Sequence, residues 1–326
     1  MLRSWERLNA LSLALLPLTL IFLTLTAIRR LLFRVGILTS TKINVPVIVV
    51  GNVTVGGTGK TPIVIAVAKA LKGAGFTPGI ITRGYRGDGL SREVTQNSTP
   101  DEVGDEATLI FTNVHCPIWV GPSRVKSAQQ LVAKHSEINV IISDDGLQHY
   151  ALKRDIEIVV VDGERQFGNG LLLPSGPLRE TIARVRTCDF AVINGPQNLN
   201  LPVPTTSMKL VGNTFHKLSE PKITCKAEDL LKHQVTAIAG IGNPERFFKH
   251  LQSLGLRPNT KCFPDHHKYS FTDLDSIESD IVIMTEKDAV KCGTNVRKEC
   301  WFLPVTAEIN GQFIQTIIEK IKNYRG

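Results

Sequence analysis

A glycine-rich turn before residue 61 contains the residue types that bind triphosphates. Residues 46–61 read PVIVVGNVTVGGTGKT, an apolar run followed by glycines, a lysine and a threonine. Glycines let backbone N–H groups close around phosphate oxygens, and the N-terminus of the following helix favours negative charge. In such loops the lysine contacts the β- and γ-phosphates and the hydroxyl binds Mg²⁺. The turn therefore predicts a triphosphate site that contains Lys60 and Thr61.

The spacing of this turn departs from the usual pattern G-x-x-x-x-G-K-[ST]. The first glycine of that pattern would be residue 54, which is a threonine here. A glycine-rich turn before an ordinary helix is therefore the alternative. We favour a phosphate loop, because GGxGKT would arise by chance in roughly one such chain in a thousand at about 7% glycine. The predicted nucleotide ligands are the consecutive residues of the turn: Thr54, Val55, Gly56, Gly57, Thr58, Gly59, Lys60 and Thr61.

Two adjacent carboxylates follow a second apolar run. Asp144 and Asp145 come directly after residues 140–142, in the segment SDDGLQH. Phosphate-loop enzymes hold Mg²⁺ through a carboxylate at this point. A solvated Asp-Asp-Gly turn would be the better explanation of the pair alone, but a phosphate loop on a neighbouring strand favours a metal site.

Other polar residues have both a chemical and a structural explanation. Asp105 opens a predicted helix, so it either caps that helix or accepts a proton from a substrate hydroxyl. His266 and His267, beside Asp265, suit metal binding or proton transfer, or else belong to a surface loop. Arginines in two Gly/Pro-shaped loops suit phosphate oxygens, although a single arginine is more often a surface residue: Arg83 and Arg179. The segment TEKD at 285–288 contacts nucleotide, bridges domains or forms only surface pairs.

The elements that must position these residues alternate between strand and helix. Apolar runs predict strands at 45–50, 79–82, 117–120, 140–142 and 156–161, with helices at 61–71, 105–111 and 123–135 between them. The alternation resumes after a Pro/Asn-rich stretch at 194–204, with strands at 235–239, 281–284 and 301–305 and helices at 244–254 and 312–324. We predict an α/β protein with a P-loop NTPase-type parallel sheet sandwiched by helices, and a second, smaller α/β unit.

An uncharged, leucine-rich run at residues 8–28 predicts an N-terminal membrane helix. Its length can span a hydrocarbon core. A cleavable signal peptide is disfavoured because the run ends in Ile28-Arg29-Arg30, without a small-residue cleavage site. A helix in the membrane interface is the second interpretation. More basic residues follow the run than precede it, which favours a body on the cytoplasmic side.

Composition restricts the partners. The chain of 326 residues has a net charge of +8 and a pI near 9.2, which indicates anionic partners such as nucleotide, phospholipid or a phosphorylated substrate. Its basic residues are dispersed and not interleaved with aromatics, so we expect no nucleic acid. The six cysteines contain no C-x-x-C pair, which argues against a structural zinc site or a disulfide framework.

Taken in order, these segments resemble the tetraacyldisaccharide 4′-kinases, the lipid A 4′-kinase family of Gram-negative envelopes. The matching segments are GNVTVGGTGKTP (51–62), TRGYRG (82–87), GDE (104–106), SDDGLQH (143–149), GNGLLLPSGPLRE (168–180), FPDHH (263–267) and TEKDAVK (285–291). The resemblance implies ATP-dependent phosphorylation of the 4′-hydroxyl of an acylated glucosamine disaccharide 1-phosphate. It also implies a place at the inner membrane bilayer. We predict a membrane anchor at 1–34, a P-loop kinase core at 35–195, and a C-terminal α/β domain at 196–326 that closes the cleft.

The resemblance also implies roles for residues named above. ATP and Mg²⁺ would be held by the loop and the paired aspartates: Lys60, Thr61, Asp144 and Asp145. Asp105 would be the catalytic base, assisted by a histidine; the family pattern favours His266, and His267 stays open. The nucleotide or acceptor site would be lined by Gln148, His149, Arg83 and Arg179. Two positions depart from the family pattern: Ser123 stands before Arg124 where an acidic residue is expected, and Ala107 follows GDE where proline is common.

Two other classes of protein remain as alternatives. A membrane-associated P-loop switch ATPase of the partitioning type also has GGxGKT, but its signature lysine precedes the paired glycines, where this chain has Val55. A membrane-tethered binding protein without catalysis would leave the paired aspartates and the DHH segment unexplained.

Overall fold

The computed structural model describes residues 5–293 and 296–324. Its α-helices, in chain order, are α1 (Ala10–Ala14), α2 (Leu16–Arg34), α3 (Lys60–Gly73), α4 (Pro100–Val103), α5 (Asp105–Val114), α6 (Arg124–Lys134), α7 (Ala227–Leu230), α8 (Pro244–Ser253), α9 (Phe271–Asp275), α10 (Glu286–Ala289) and α11 (Gly311–Lys322). Its strands are β1 (Val47–Gly51), β2 (Pro78–Thr82), β3 (Arg92–Glu93), β4 (Ile118–Val120), β5 (Val140–Asp144), β6 (Ile156–Asp162), β7 (Phe190–Asn194), β8 (Thr205–Val211), β9 (Phe215–Lys217), β10 (Thr224–Cys225), β11 (Val235–Ala239), β12 (Asn259–Cys262), β13 (Ile281–Thr285), β14 (Glu299–Leu303) and β15 (Thr306–Ile309).

Nine strands form the larger sheet, in the order β15-β8-β7-β6-β1-β5-β2-β4-β3. The pairs from β8 to β4 are parallel, whereas the edge strands β15 and β3 run antiparallel to their neighbours. Successive side chains of a strand point to opposite faces, so Ile48 and Val50 pack with α3, α5 and α11, while Val47 and Val49 pack with α6. The predicted fold class, a parallel sheet sandwiched by helices, is confirmed.

The strand order brings the predicted chemistry to one edge of the sheet. The central strand β1 lies between β5 and β6, and β2 lies beside β5. The phosphate loop follows β1, Asp144 and Asp145 lie at the end of β5, and Arg83 follows β2. Because parallel strands share one carboxyl edge, these loops meet there.

Six strands form a second, smaller sheet, in the order β10-β9-β14-β13-β11-β12. The strands from β14 to β12 are parallel, and β9 and β10 are antiparallel. Its core includes Phe247 and Leu251 of α8, which pack against Trp301 of β14. This sheet and its helices, residues 215–303, are called the second unit below.

The division of the chain into domains remains a prediction, and the strand pairing differs from it in one respect. The range 196–326 was expected to form one unit, but β8 and β15 hydrogen-bond into the larger sheet. Phe313 and Ile317 of α11 also belong to the core of that sheet. The side chains of β8 and β15 are mostly half-buried or exposed, so neither strand produces an apolar run. The second unit is therefore inserted between two strands of the first sheet.

The N-terminal run forms two helices, and the longer of them exposes apolar residues. Helix α2 has 19 residues and a mean hydropathy of 1.7, which is long and apolar enough to cross a membrane by length and composition. Only 6% of its apolar window is buried. Thr19 is buried against the body of the protein, where its hydroxyl lies 2.7 Å from that of Ser175. Leucine and isoleucine side chains on the other faces are exposed: Leu18, Leu20, Ile21, Leu25 and Ile28.

Candidate active site

The turn between β1 and α3 has the backbone of a phosphate loop. Gly56 and Gly59 have φ angles of 100° and 92°, in the left-handed region that favours glycine. A Cβ at Gly59 would lie 2.4 Å from Nδ2 of Asn194, so no larger residue fits there. Helix α3 begins at Lys60, directly after this turn. The loop therefore places a helix N-terminus and a lysine where an anion can bind.

Carbonyl groups of the loop are held by side-chain donors. Nδ2 of Asn194 donates to the Thr58 carbonyl at 3.0 Å, and Nδ2 of Asn52 donates to the Gly56 carbonyl at 3.5 Å. The N–H groups of residues 56–59 donate no hydrogen bond within the described part of the chain. These N–H groups are thus available to an anion. Sequence reasoning did not find Asn194, because strand β7, whose end it occupies, was not predicted.

Residues 54 and 55 join the loop to the 168–180 segment. Thr54 is buried and forms an antiparallel bridge with Leu178. The Val55 N–H donates to the Pro177 carbonyl at 2.8 Å. The threonine that replaces the first glycine of the usual pattern therefore lies in a short ladder with its neighbouring loop. This pairing explains why the backbone there needs no glycine.

Asp145 lies in an ion-pair group at the end of β5. Its Oδ1 atom is 3.6 Å from Nζ of Lys60, and its Oδ2 atom is 2.9 Å from Nη1 of Arg179. Burial alone would raise the pKa of Asp145, but the charges of Lys60 and Arg179 outweigh burial and lower it. The structure thus brings three predicted site residues together, and it pairs Arg179 with a carboxylate.

Asp144 is fully buried, and its carboxylate forms no ion pair with any of the described residues. Its Oδ2 atom accepts a hydrogen bond from Thr82 at 3.3 Å, while its Oδ1 atom has no partner among the described residues. Burial and the nearby charge of Glu106 raise the pKa of Asp144 to about 7. An unpartnered buried carboxylate is costly unless a cation compensates it.

The residues present fit a magnesium ion. The buried Thr61 lies in the first turn of α3, at the same edge of the sheet as Asp144. No cluster of three or more histidine, cysteine or acidic residues suited to a metal occurs among residues 5–293 and 296–324. Magnesium needs no such cluster, because it is usually bound by one or two carboxylates with waters and substrate phosphates.

Asp105 contacts His266 across the cleft between the two sheets. Oδ2 of Asp105 lies 2.8 Å from Nδ1 of His266, and Asp105 is 5% exposed. Nζ of Lys287 is 4.0 Å from the same Oδ2 atom. Gly104 is the N-cap residue of α5, so Asp105 does not occupy the cap position, although its Oδ1 atom accepts the Glu106 N–H at 2.9 Å. Burial would raise the pKa of Asp105, but the bond with His266 and the charge of Lys287 outweigh it and lower the pKa.

The two adjacent histidines have different partners. His266 has a positive φ angle of 61°, and its N–H donates to the Gly240 carbonyl at 3.1 Å. His267 instead directs Nε2 toward Oδ2 of Asp273, at 3.2 Å, and stacks on Phe263. The sequence left open which histidine assists Asp105, and His266 is the one that contacts it.

Lys287 of the TEKD segment joins the two sheets. Its Nζ atom lies 3.0 Å from Oε1 of Glu106, which follows Asp105. Burial would lower the pKa of Lys287, but the charges of Glu106 and Asp105 outweigh burial and raise it. Thr285 caps α10 and accepts the Asp288 N–H. Of the three explanations of this segment, the structure supports a bridge between domains.

The remaining predicted ligands have other contacts. Both N–H donors of the Gln148 amide are used within the protein, on the Asn52 carbonyl at 3.0 Å and on Oε1 of Glu180 at 2.9 Å. Arg83 is exposed at the end of β2. His149 is half-buried, and loss of solvation together with the charge of Arg124 lowers its pKa to about 4. Gln148 therefore braces the start of the loop, while Arg83 is free to reach an anion at the cleft.

The departure at Ser123 has a structural reason. The Ser123 side chain accepts the Lys126 N–H and caps helix α6. Arg124, the next residue, is buried and donates to the Asp144 carbonyl at 2.9 Å. Serine is a good helix cap, so the position needs no carboxylate to begin the helix.

A cavity of about 420 Å³ lies between the phosphate loop and the second unit. Its polar lining includes Lys60, Thr61 and Glu106. Its apolar lining comes from the helices beside the larger sheet and from the second unit: Ile65, Leu109, Phe247 and Leu303. A cavity lined by both charged and apolar side chains suits a phosphorylated ligand with a planar base.

The fold and the site together define a P-loop nucleotide-binding protein, with the loop on a central parallel strand and carboxylates on the next strand. The chain belongs to the family of tetraacyldisaccharide-1-P 4′-kinases, whose model matches residues 11–322. The predicted family is therefore confirmed.

Individual relatives are similar to this chain over almost their whole length. A tetraacyldisaccharide 4′-kinase of Methylobacillus flagellatus is 45% identical, over 98% of this chain and 95% of the relative. One of Pseudoalteromonas atlantica is 44% identical, over 95% of this chain and 100% of the relative. A crystal structure of LpxK from Aquifex aeolicus in complex with ATP is similar with a TM-score of 0.81 and 28% identity, covering 96% of this chain and 98% of that one.

Proposed function

We propose that this protein transfers the γ-phosphate of ATP to the 4′-hydroxyl of a tetraacyl-glucosamine disaccharide 1-phosphate. Membership of the kinase family supports the reaction. The observation that carries the mechanism is the 2.8 Å contact between Asp105 and His266, at the cleft that contains Lys60. A partly buried acid and base pair beside a phosphate loop suits proton removal from an acceptor hydroxyl.

ATP binds with its phosphates on the loop and its base in the cavity. The free N–H groups of residues 56–59 and the Lys60 ammonium contact phosphate oxygens. Apolar side chains of the cavity lining, among them Leu109 and Phe247, would cover the base. Arg83 follows β2 and Arg179 pairs with Asp145 at the carboxyl edge of the larger sheet, and both would suit phosphate oxygens of nucleotide or acceptor.

Phosphoryl transfer needs positioning and charge neutralisation more than covalent chemistry. The 4′-oxygen forms a bond to the γ-phosphorus while the bond from that phosphorus to the bridging β–γ oxygen breaks, and ADP leaves. Asp105 accepts the hydroxyl proton, and His266 holds the carboxylate in position through its Nδ1 atom. Lys60 stays near the negative charge that develops on the phosphoryl group.

Thr61, Asp144 and Asp145 would hold Mg²⁺. The unpartnered Oδ1 atom of Asp144 supports this assignment. When bound, the ion neutralises phosphate charge and orients the β- and γ-oxygens.

We infer that the protein works at the inner membrane, with its catalytic body on the cytoplasmic side, and the exposed apolar residues of α2 support the membrane location. An apolar helix face of this length is compatible with either a span or an interfacial position. The acyl chains of the acceptor remain in the bilayer, so a kinase of this lipid must work at the membrane surface. Supply of ATP requires the cytoplasmic side.

The decisive experiment incubates the purified full-length protein with an acylated disaccharide 1-phosphate, ATP and Mg²⁺. We expect the acceptor to gain the mass of one phosphate, at a position that chemical analysis assigns to the 4′-oxygen. ATP hydrolysis that proceeds equally without the acceptor would contradict the proposal and favour a switch ATPase.

A further inference from the structure

Arg165 lies just after β6, outside all of the predicted site. Its Nε and Nη2 atoms donate to Oδ2 of Asp162, at 3.1 and 3.0 Å. Asp162 is 2% exposed, and its Oδ1 atom accepts the N–H groups of Glu164 and Arg165. A carboxylate with so many bonds is fixed, so it holds the planar guanidinium in one orientation.

The other donors of this guanidinium join the phosphate loop to the second unit. Nη2 of Arg165 donates to the Gly57 carbonyl. Nη1 donates to the Gly242 carbonyl, in the turn after β11, at 3.1 Å. The two backbones touch at this point, because a Cβ on Gly242 would lie 2.4 Å from the Gly57 nitrogen. One side chain thus binds a carbonyl on each side of the cleft.

A second arginine reaches the same carboxylate from the second unit. Nη2 of Arg246, on α8, donates to Oδ1 of Asp162 at 2.9 Å and to the Asn194 carbonyl at 3.4 Å. Asp162 therefore forms ion pairs with one arginine from each unit. Burial would raise the pKa of Asp162, but Arg246 and Arg165 outweigh burial and lower it, so the carboxylate stays charged.

We propose that Arg165 is a positioning residue that couples closure of the second unit to the shape of the phosphate loop. The inference rests on the proposed function, in which this loop binds ATP. Arg165 turns the Gly57 carbonyl away from the phosphates, as Asn194 turns the Thr58 carbonyl, and the same guanidinium holds Gly242 against the loop. Nucleotide binding and docking of Gly242 consequently favour each other.

The first test replaces the guanidinium with an apolar chain of similar length. In the full-length protein, Arg165→Met should raise the KM for ATP roughly ten- to a hundredfold, the range for loss of hydrogen bonds to a charged group. The KM for the acylated disaccharide should change by less than about twofold. Arg165→Lys, which keeps the charge and can bond to one carbonyl, should recover part of the loss. The matched control is Arg257→Met, an exposed arginine of the second unit.

The second test separates the two backbones without changing a charge. Gly242→Ala should also raise the KM for ATP, because its Cβ forces Gly242 away from Gly57. Gly73→Ala is the control, since a Cβ there would meet nothing within 4 Å. The variants are independent of one another. If Arg165→Met fails to fold, Arg165→Lys and Gly242→Ala still test whether Arg165 couples the two units.

An unchanged KM for ATP in the folded Arg165 and Gly242 variants would overturn the inference, as would an equal rise in both substrates' KM values. Direct titration with an ATP analogue separates this failure from failure of the proposed function. A wild-type protein that binds the analogue but never phosphorylates the disaccharide would refute the proposed function. The analogue's dissociation constants for the variants would still test the coupling.

Discussion

At the scale of single residues, the surroundings of two buried carboxylates displace their pKa values in opposite directions. At Asp105, burial raises the pKa, but the bond with His266 and the charge of Lys287 outweigh burial and lower it. At Asp144, burial and the charge of Glu106 raise the pKa to about 7. Asp105 is thus kept ionised, as the proposed role of proton acceptor requires, whereas ionisation of Asp144 is disfavoured in the absence of a cation.

The role of Asp105 is tested by substitution. Asp105→Asn should lower kcat by a factor on the order of 10² to 10⁴, the usual contribution of a general base. His266→Ala should also lower kcat, because the carboxylate loses its 2.8 Å partner. His267→Gln, which changes a side chain directed at Asp273, is the matched control and should stay near the wild-type rate. A wild-type kcat in Asp105→Asn would refute the assignment.

The pH dependence of the rate tests the charge beside Asp105. The bond with His266 and the charge of Lys287 outweigh burial and lower the pKa of Asp105 from its ordinary 3.8, so activity is lost only as pH falls through that lowered value. Lys287→Met should raise the pKa and move the acid limb of kcat/KM to higher pH. Lys287→Arg keeps the charge and should leave the limb near its original position. An acid limb that does not move in Lys287→Met would contradict this explanation.

The stability of metal-free protein tests the environment of Asp144. Folding raises the pKa of this carboxyl group from 3.8 to about 7. The folded protein therefore loses stability as pH increases between these two values. Asp144→Asn removes this loss, so at pH 8 without Mg²⁺ the variant should unfold at least as late as wild type in a thermal scan. Wild type should gain more than the variant from Mg²⁺ with an ATP analogue. Earlier unfolding of the variant would show that the ionised carboxylate is satisfied within the protein.

At the scale of elements, the 168–180 segment connects the N-terminal helix to the phosphate loop. Ser175 binds Thr19 of α2, and the backbone of Pro177 and Arg179 pairs with that of Val55 and Val53. The Trp5 indole donates to the Pro174 carbonyl at 3.1 Å. Helix α2 is therefore packed on the catalytic body, through Thr19 and through Phe22, and is not merely tethered to it.

Packing of α2 is tested at Thr19. Thr19→Val removes a buried hydroxyl that lies 2.7 Å from the Ser175 hydroxyl and 3.3 Å from the Leu172 carbonyl. The unpaired Ser175 should cost about 1–3 kcal/mol of stability. Thr24→Val, at an exposed position of the same helix, is the control. Thermal unfolding in detergent should show a lower midpoint only for Thr19→Val, and equal midpoints would indicate that α2 is not packed on the body in solution.

At the scale of the whole molecule, much of the larger sheet was predictable and its edge was not. Residues 47–51, 140–144 and 156–162 are buried on both faces, so they read as apolar runs. Strands β8 and β15 carry half-exposed polar side chains, and β12 is exposed along its length, so no such run marks them. The formation of exposed and edge strands depends on pairing with neighbouring strands more than on their own amino-acid composition.

The candidate site divides in a similar way. Lys60, Asp144 and Asp105 were found because local motifs mark them. The pairing of Asp105 with His266 joins residues far apart in sequence, and only the resemblance to a family suggested it. Asn194 and Arg165 remained unidentified because their contacts with the loop exist only after β6 pairs with β1 and β7 pairs with β6.

The return of the chain to the first sheet predicts the effect of a C-terminal deletion. Removing residues 306–324 should destabilise the larger sheet, because Phe313 and Ile317 of α11 lie in its core. Burial of one such side chain contributes about 1.5–3 kcal/mol. Limited proteolysis below the unfolding temperature of wild type should cut the truncated protein within residues 35–211. Digestion confined to the second unit would contradict this picture.

The position of β15 and α11 also sets an order of events during synthesis. The apolar residues of α2 leave the ribosome first, the second unit follows as a continuous stretch, and the edge of the larger sheet is made last. Chains emerge at about 5–20 residues per second, so roughly ten seconds or more separate the first helix from the last. The nascent protein can therefore reach the bilayer surface before its phosphate-binding sheet is complete, and an unfinished chain lacks the packing that closes its own core.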